Sequence, residues 1–293
     1  MDRMSIAFPN LGIYLDYVPK SFQIGSFTIA MYGIIIATGV LLGFMLANYE
    51  GNRVGMPKDI WWDFSLPAII FSVLGARIYY VIFSWDYYKN NLKELLNTRQ
   101  GGLAIYGGVI GGFLTLFIFC KIRKVRFLQM TDAGVMGLLL GQIIGRWGNF
   151  TNREVFGGYT DNLFAMRLPI EMVRQSDISP DIAAHITDGI NYIQVHPTFL
   201  YEGLWNLGIL LFLLWFRKRK RITGEMFYIY GVLYGLGRFF IEGLRTDQLL
   251  IFGKIPVSQI VAVACMVVFT TLLIQGRIKN KPEYIPPLST TEE

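Results

Sequence analysis

Arg238, Glu242 and Arg245 stand four and three residues apart, a spacing that puts all three on one face of a helix. They lie in or at the end of an apolar stretch, where an arginine costs at least ~2.5–3.5 kcal/mol to insert into a membrane. A charge kept at that cost points to function. Glu242 can pair with either arginine. One reading is a charge-neutralising ladder at a helix end. The other leaves one arginine for an anionic phosphate, whose oxygens a planar guanidinium binds bidentately. Arg77 sits inside another apolar stretch, Glu202 opens a third and Arg146 closes a fourth.

The segment Gly145-Arg146-Trp147-Gly148-Asn149-Phe150-Thr151-Asn152-Arg153-Glu154 is denser still. Amides donate hydrogen bonds to oxyanions without carrying charge, and Gly145 and Gly148 let backbone N–H groups approach a ligand. A polar turn capping the helix is the simpler reading, but a cap does not need so many convergent polar groups. Gly101-Gly102-Leu103-Ala104-Ile105-Tyr106-Gly107-Gly108 surrounds one phenol with glycines, which suits either close backbone approach to a ligand or helix packing with an interfacial tyrosine. His196-Pro197-Thr198-Phe199-Leu200-Tyr201-Glu202 reads as a helix start with proline in its first turn, and His196 there is more naturally a capping or interfacial residue than a base.

Elements of a particular kind must position these groups. The chain has 293 residues, 53% hydrophobic and 16% charged, with a mean hydropathy of +0.41. The apolar residues fall in runs of roughly 20, the length of a membrane-crossing helix. Seven stretches are expected to cross: Phe27–Tyr49, Trp61–Phe83, Leu103–Cys120, Thr131–Trp147, Thr198–Phe216, Glu225–Ile241 and Pro256–Gln275. The fourth is short and rich in glycine. Glycine pairs four apart, Gly39/Gly43, Gly107/Gly111, Gly141/Gly145 and Gly231/Gly235, fit close helix packing in lipid. Lysine and arginine crowd alternate connections: Arg53 and Lys58; Lys121, Arg123, Lys124 and Arg126; the run from Arg217 to Arg221; and Arg277, Lys279 and Lys281. The other loops hold fewer, namely Lys89, Lys93, Arg99, Arg245 and Lys254. The positive-inside rule then puts the N-terminus outside and the C-terminus in the cytoplasm.

The resulting expectation is an all-α integral membrane protein of about seven transmembrane helices. Residues 1–148 would hold helices one to four and residues 198–276 helices five to seven. Residues 149–197 would form a small extracytoplasmic head of short helices, being too apolar for a disordered linker. Residues 277–293, with Pro282, Pro286 and Pro287, read as a disordered cytoplasmic tail. The net charge of +6 belongs to span ends, so nucleic acid is not expected as a partner. The first 25 residues lack a charged region feeding an apolar one, so no cleaved signal peptide is expected. With Cys120 and Cys265 apart in apolar stretches and only two histidines, neither a disulfide framework nor a metal site is expected.

Taken together, these strings resemble the prolipoprotein diacylglyceryl transferase family. To those above are added Met31-Tyr32-Gly33, Gly75-Ala76-Arg77-Ile78-Tyr79-Tyr80 and Tyr234-Gly235-Leu236-Gly237-Arg238 through Glu242 and Arg245. They stand in the family's order, and Gly-Arg-x-Gly-Asn-Phe-x-Asn-x-Glu is the specific one. The resemblance implies a bacterial cytoplasmic-membrane enzyme of lipoprotein biosynthesis. It would move the diacylglyceryl group of phosphatidylglycerol to the lipobox cysteine thiol of a prolipoprotein, form a thioether and release glycerol phosphate, without cofactor or metal. It implies a catalytic role for Arg146, which binds the phosphate, and for Arg238, with Asn149, Glu154, Gly157, Tyr32 and Tyr234 at functional positions. Asn152, His196, Tyr201, Glu202, Glu242, Arg245 and Arg77 are further candidates for substrate contact.

One departure bears on the mechanism. Many members of the family have histidine where this chain has Tyr106, and a phenol near pKa ~10 is a poor base at neutral pH. Tyr106 either serves as the base or hydrogen-bonds the lipid, and the thiol proton passes otherwise to Glu154 or to the departing phosphate. The competing function is a membrane transporter of an anionic substrate, whose buried charges would look similar. Its symmetric broken-helix repeats are not visible in the sequence.

Overall fold

The computed structural model describes residues 5–98, 101–186, 189, 191–251 and 255–279. Arg99, Lys254, Lys281 and the proline-containing tail lie outside the described residues.

The chain opens with two short strands, β1 (Ile6–Phe8) and β2 (Ile13–Leu15), and a hairpin of β3 (Ser21–Ile24) and β4 (Phe27–Ala30). Helix α1 (Met31–Arg53) follows, then α2 (Ile60–Phe83), the single turn α3 (Trp85–Tyr88), α4 (Ile105–Arg123) and α5 (Phe127–Asn152). Next come β5 (Met166–Pro169), the short α6 (Pro180–Ala184) and β6 (Tyr192–Val195). Three long helices complete the order, α7 (Thr198–Phe216), α8 (Glu225–Glu242) and α9 (Val257–Lys279), with the two-residue strands β7 (Leu250–Ile251) and β8 (Ile255–Pro256) between the last two.

Among the described residues, six helices, α1, α2, α4, α5, α7 and α9, are long and apolar enough to cross a membrane by length and composition. Helix α8, expected as the sixth span, has 18 residues and carries Glu225, Arg238 and Glu242, which set it apart from the other six. Helix α1 begins at Met31 rather than Phe27 because Phe27–Ala30 pairs with β3 as a hairpin strand. The fourth stretch is not short: α5 extends beyond Thr131–Trp147 at both ends.

The all-α expectation needs one correction. Residues 149–197 contain α6 as a short helix, but β5 and β6 belong to a four-stranded antiparallel sheet ordered β2-β1-β5-β6. Half of that sheet comes from the N-terminus, with Ala7 opposite Arg167. Its face buries a core of Ile6, Leu168, Ile193 and Val195 with Phe156 and Phe199.

The described residues fall into two compact units, one from residues 44–134 and one from residues 5–43 with 135–279. In the first, α2 and α4 pack backbone to backbone: a Cβ on Gly107 would lie 2.3 Å from the Gly75 carbonyl oxygen, and one on Gly111 2.5 Å from that of Phe71. Trp61, Phe64, Leu116, Cys120 and Met130 form its apolar centre. In the second unit, a Cβ on Gly43 would lie 2.8 Å from the Gly137 carbonyl oxygen, which brings α1 and α5 together, while Gly231 and Gly235 seat Phe269 and Met266 of α9 against α8. Small residues thus do what lipid-immersed helices need where no hydrophobic force drives association.

Candidate active site

Helix α5 ends in a backbone turn that no helix would choose. Arg153 and Val155 both adopt positive φ, +56° and +60°, which is uncommon for residues with side chains. The turn is held by Arg153, whose buried guanidinium donates to the carbonyl oxygens of Thr151 at 2.9 Å and Val18 at 2.6 Å and contacts Ser5. It ties the end of α5 to the N-terminal strands and leaves Asn149, Asn152 and Glu154 together. Asn149 and Asn152 each donate from Nδ2 to Glu154 Oε1 at 3.3 Å, and Arg174 reaches Glu154 Oε2 at 3.4 Å. Arg146 Nη1 donates to Asn149 Oδ1 at 3.5 Å. The ring of Tyr32, at the start of α1, packs over Gly148, where a Cβ would come within 2.7 Å of it.

Arg146 and Arg238, 92 residues apart in the chain (238 − 146), meet at one carboxylate. Arg146 pairs with Glu202 through Nη2, and Arg238 Nη1 donates to Glu202 Oε1 at 3.0 Å. Glu202 is only 3% exposed. Arg238 also pairs with Glu242, Arg245 lies 3.7 Å from Glu242, and Arg245 closes a two-pronged pair with Asp247 at 2.9 and 2.8 Å. The result is an alternating ladder, Arg146–Glu202–Arg238–Glu242–Arg245–Asp247. The helix-end ladder considered from the α8 spacing is therefore real, but it reaches further than that helix. No arginine in it is left without a carboxylate. Each guanidinium has five N–H donors, and the pairs of Arg238 occupy two of its nitrogens.

Outside the spans, burial by itself would lower Arg245 and raise Asp247. Their mutual hydrogen bond and charge outweigh it, holding Arg245 above its ordinary value and Asp247 below the usual carboxylate range.

Gly157 sits where only hydrogen fits. Its N–H donates to the His196 carbonyl at 3.0 Å, and a Cβ would lie 2.7 Å from the Leu244 carbonyl oxygen. Gly158 N–H donates to that Leu244 oxygen at 2.9 Å. These contacts fasten the chain beyond α8, and with it Arg245, to the segment following α5. His196 Nδ1 and Tyr201 Oη are 3.2 Å apart, with Asn162 Nδ2 donating to Tyr201 Oη at 3.0 Å. Burial pushes the His196 imidazole below its ordinary pKa. Tyr234 stacks on Tyr230, ring centroids 5.3 Å apart, and Gln142 Nε2 donates to Tyr230 Oη at 2.9 Å.

Tyr106 and Arg77 lie in the other unit. Tyr106, at the start of α4, is 38% exposed, its ring 6.4 Å from that of Tyr79. Arg77 is buried and donates to four carbonyl oxygens, of Glu94 at 2.6 Å, Leu95 at 2.8 Å, Gly102 at 2.9 Å and Gly101 at 3.2 Å. Gly101 and Gly102 have positive φ, and a Cβ on Gly102 would lie 2.4 Å from an Arg77 nitrogen. The glycines before Tyr106 thus serve a turn wrapped round an arginine.

Reading the sequence missed Arg153 as an anchor, Asp247 as the end of the ladder, and Gln142 and Tyr230 beside it. Gln142 stands four residues before Arg146 and Tyr230 eight before Arg238, so helical spacing was the signal available.

The model of the prolipoprotein diacylglyceryl transferase family matches residues 19–275 of this chain. Phosphatidylglycerol–prolipoprotein diacylglyceryl transferases of Bacillus cereus and Bacillus anthracis are each 44% identical to it over 257 residues, covering 87% of this chain and 90% of the relative.

Proposed function

The chain belongs to the prolipoprotein diacylglyceryl transferase family, and from that premise we propose how its residues move a diacylglyceryl group from phosphatidylglycerol to a prolipoprotein. The acceptor is the thiol of a lipobox cysteine in the signal peptide. Its sulfur attacks the lipid's glycerol carbon, a C–S bond forms as the C–O bond to phosphate breaks, and glycerol phosphate leaves. The observation that carries this assignment is the convergence of Arg146 and Arg238 on Glu202. Two guanidiniums fixed by a shared carboxylate present their remaining donors to a phosphate. They stabilise charge growing on the leaving oxygen with little reorganisation during the reaction, which is where such donors act most strongly.

Glu242, Arg245 and Asp247 extend the ladder and hold Arg238 in place. Asn149 and Asn152 orient Glu154, which we assign to take the thiol proton. Tyr106 then hydrogen-bonds lipid. Tyr32 and Tyr234 line the headgroup site, and Gly157, His196 and Tyr201 fasten the segment that carries Arg245. Arg77, its donors directed at backbone carbonyls, positions the turn before Tyr106. A polar cleft of about 350 Å³ lined by Lys20, Asn152, Glu154, Glu171 and Arg174 lies beside Glu154.

Helix α8 counts as a seventh span, because the ladder neutralises Arg238 and Glu242, and Arg277 of α9 pairs with Glu225. Residues 149–197, with the N-terminal strands, form a head outside the cytoplasm, the N-terminus is outside and the C-terminus inside. The test is a lipobox peptide incubated with the purified protein in phosphatidylglycerol vesicles. A mass gain of one diacylglyceryl group, absent without that lipid, is expected. Phosphatidylglycerol movement without a covalent product would favour transport instead.

A further inference from the structure

One helical turn away from the charged ladder lies a second, uncharged polar layer. Asn206 follows Glu202 by four residues on α7 and is 2% exposed, and its Nδ2 has no hydrogen-bond partner. Gln142 precedes Arg146 by four residues on α5, and its Oε1 is likewise buried and unpartnered while its Nε2 serves Tyr230. Helices α5 and α7 run past each other in opposite directions here. Phe199 meets Trp147 and Phe150, at 5.5 and 4.8 Å between ring centroids, Glu202 meets Arg146, and Asn206 comes a turn further along as Gln142 comes a turn earlier. Four residues of helix rise about 6 Å. Both orphan atoms therefore lie one turn from the guanidiniums, on the side towards the middle of the two helices.

A buried amide without a partner is costly, and more so where no water from the bilayer core can reach it. An apolar residue of the same shape would remove that cost. We propose that Asn206 is a lipid-binding residue whose Nδ2 donates to an ester carbonyl oxygen of the phospholipid's glycerol backbone. This rests on the reading that Arg146 and Arg238 hold the lipid phosphate. A phosphate on the ladder places the ester oxygens a few covalent bonds deeper, towards the Asn206 layer. Ester carbonyls only accept hydrogen bonds, and the vacant group on Asn206 is a donor. Gln142 marks the same layer as polar. The layer reads the linkage of the acyl chains, which the charged ladder above it does not contact.

The test uses the full-length protein in detergent, with ester-linked phosphatidylglycerol and its dialkyl-ether counterpart as probes. For the wild type, the ester lipid raises the thermal midpoint more than the ether lipid. Asn206→Leu responds equally to both, has a lipid-free midpoint no lower than the wild type, and shows a KM for the ester lipid raised roughly three- to tenfold with kcat little changed. Equal responses of the wild type to the two lipids would overturn the proposal. So would an Asn206→Leu protein that keeps the ester preference, or one whose lipid-free midpoint falls by several degrees, which would reveal a partner within the protein. If the leucine variant is not recovered, the wild-type ester-against-ether comparison decides by itself. Failure of the broader reading is seen separately, as absence of diacylglyceryl transfer to a lipobox peptide by the wild type.

Discussion

Glu202 carries more of the site than its lone acidic side chain suggests. Two guanidiniums share it, so removing its charge alters both. Glu202→Gln is expected to lower kcat by an order of magnitude or more while leaving KM for phosphatidylglycerol unraised. The lost charge is negative, and an anionic lipid is not repelled by its absence. Steady-state kinetics on the purified variant decide this, and a KM rise with unchanged kcat would contradict it. His196 gives a prediction in pH. Burial lowers its folded-state pKa below the unfolded value of ~6.5. The unfolded chain then binds the proton more readily, so the contribution of His196 is full above ~6.5 and is lost as pH falls through the folded-state value. The thermal midpoint should decline as pH drops below ~6.5, and His196→Gln should flatten that step. At this scale the sequence was most legible where charge sat in apolar surroundings: Arg146, Arg238, Glu242 and Arg245 announce themselves by insertion cost. Glu202 was visible as a charge but not as the shared partner, because the pairing joins three helices. Asn206 and Gln142 were hidden, since a neutral amide within an apolar run breaks no rule that sequence alone exposes.

Among elements, the glycine contacts between helices set the tightest limits. A Cβ at Gly107 would press on the Gly75 carbonyl oxygen at 2.3 Å, whereas one at Gly203 meets nothing within 4 Å. Gly107→Val is expected to lower the yield of folded protein sharply, or its thermal midpoint by several degrees, whereas Gly203→Ala should leave both near wild type. Comparable midpoints for the two would show that α2 and α4 are not packed at this glycine. The long helices could be read from hydropathy to within a few residues. The sheet could not. Its strands are three or four residues each, too short for alternation to separate strand from helix. Two of them come from the start of the chain, and one of these, β1, pairs far along it, Ala7 against Arg167. Arg153, which ties them to α5, looked like one more polar residue in a polar turn.

Across the whole molecule, apolar helices and the cation-rich connections fit a multi-pass protein of the cytoplasmic membrane, and its orientation makes a prediction. In a background with Cys120 and Cys265 replaced, exposed Lys218→Cys should react with an impermeant maleimide only after lysis, and exposed Ser176→Cys in intact cells. The reverse pattern would invert the topology. The central claim, that two arginines distant in sequence act on one lipid phosphate, is tested most directly by measuring transfer to a lipobox peptide. Wild type, Arg146→Ala and Arg238→Ala should be compared, each purified after confirmed membrane insertion. Each substitution is expected to cost about 10²–10³-fold in rate, the scale found when one stabilising donor is removed. Near-normal diacylglyceryl transfer by Arg146→Ala would contradict it.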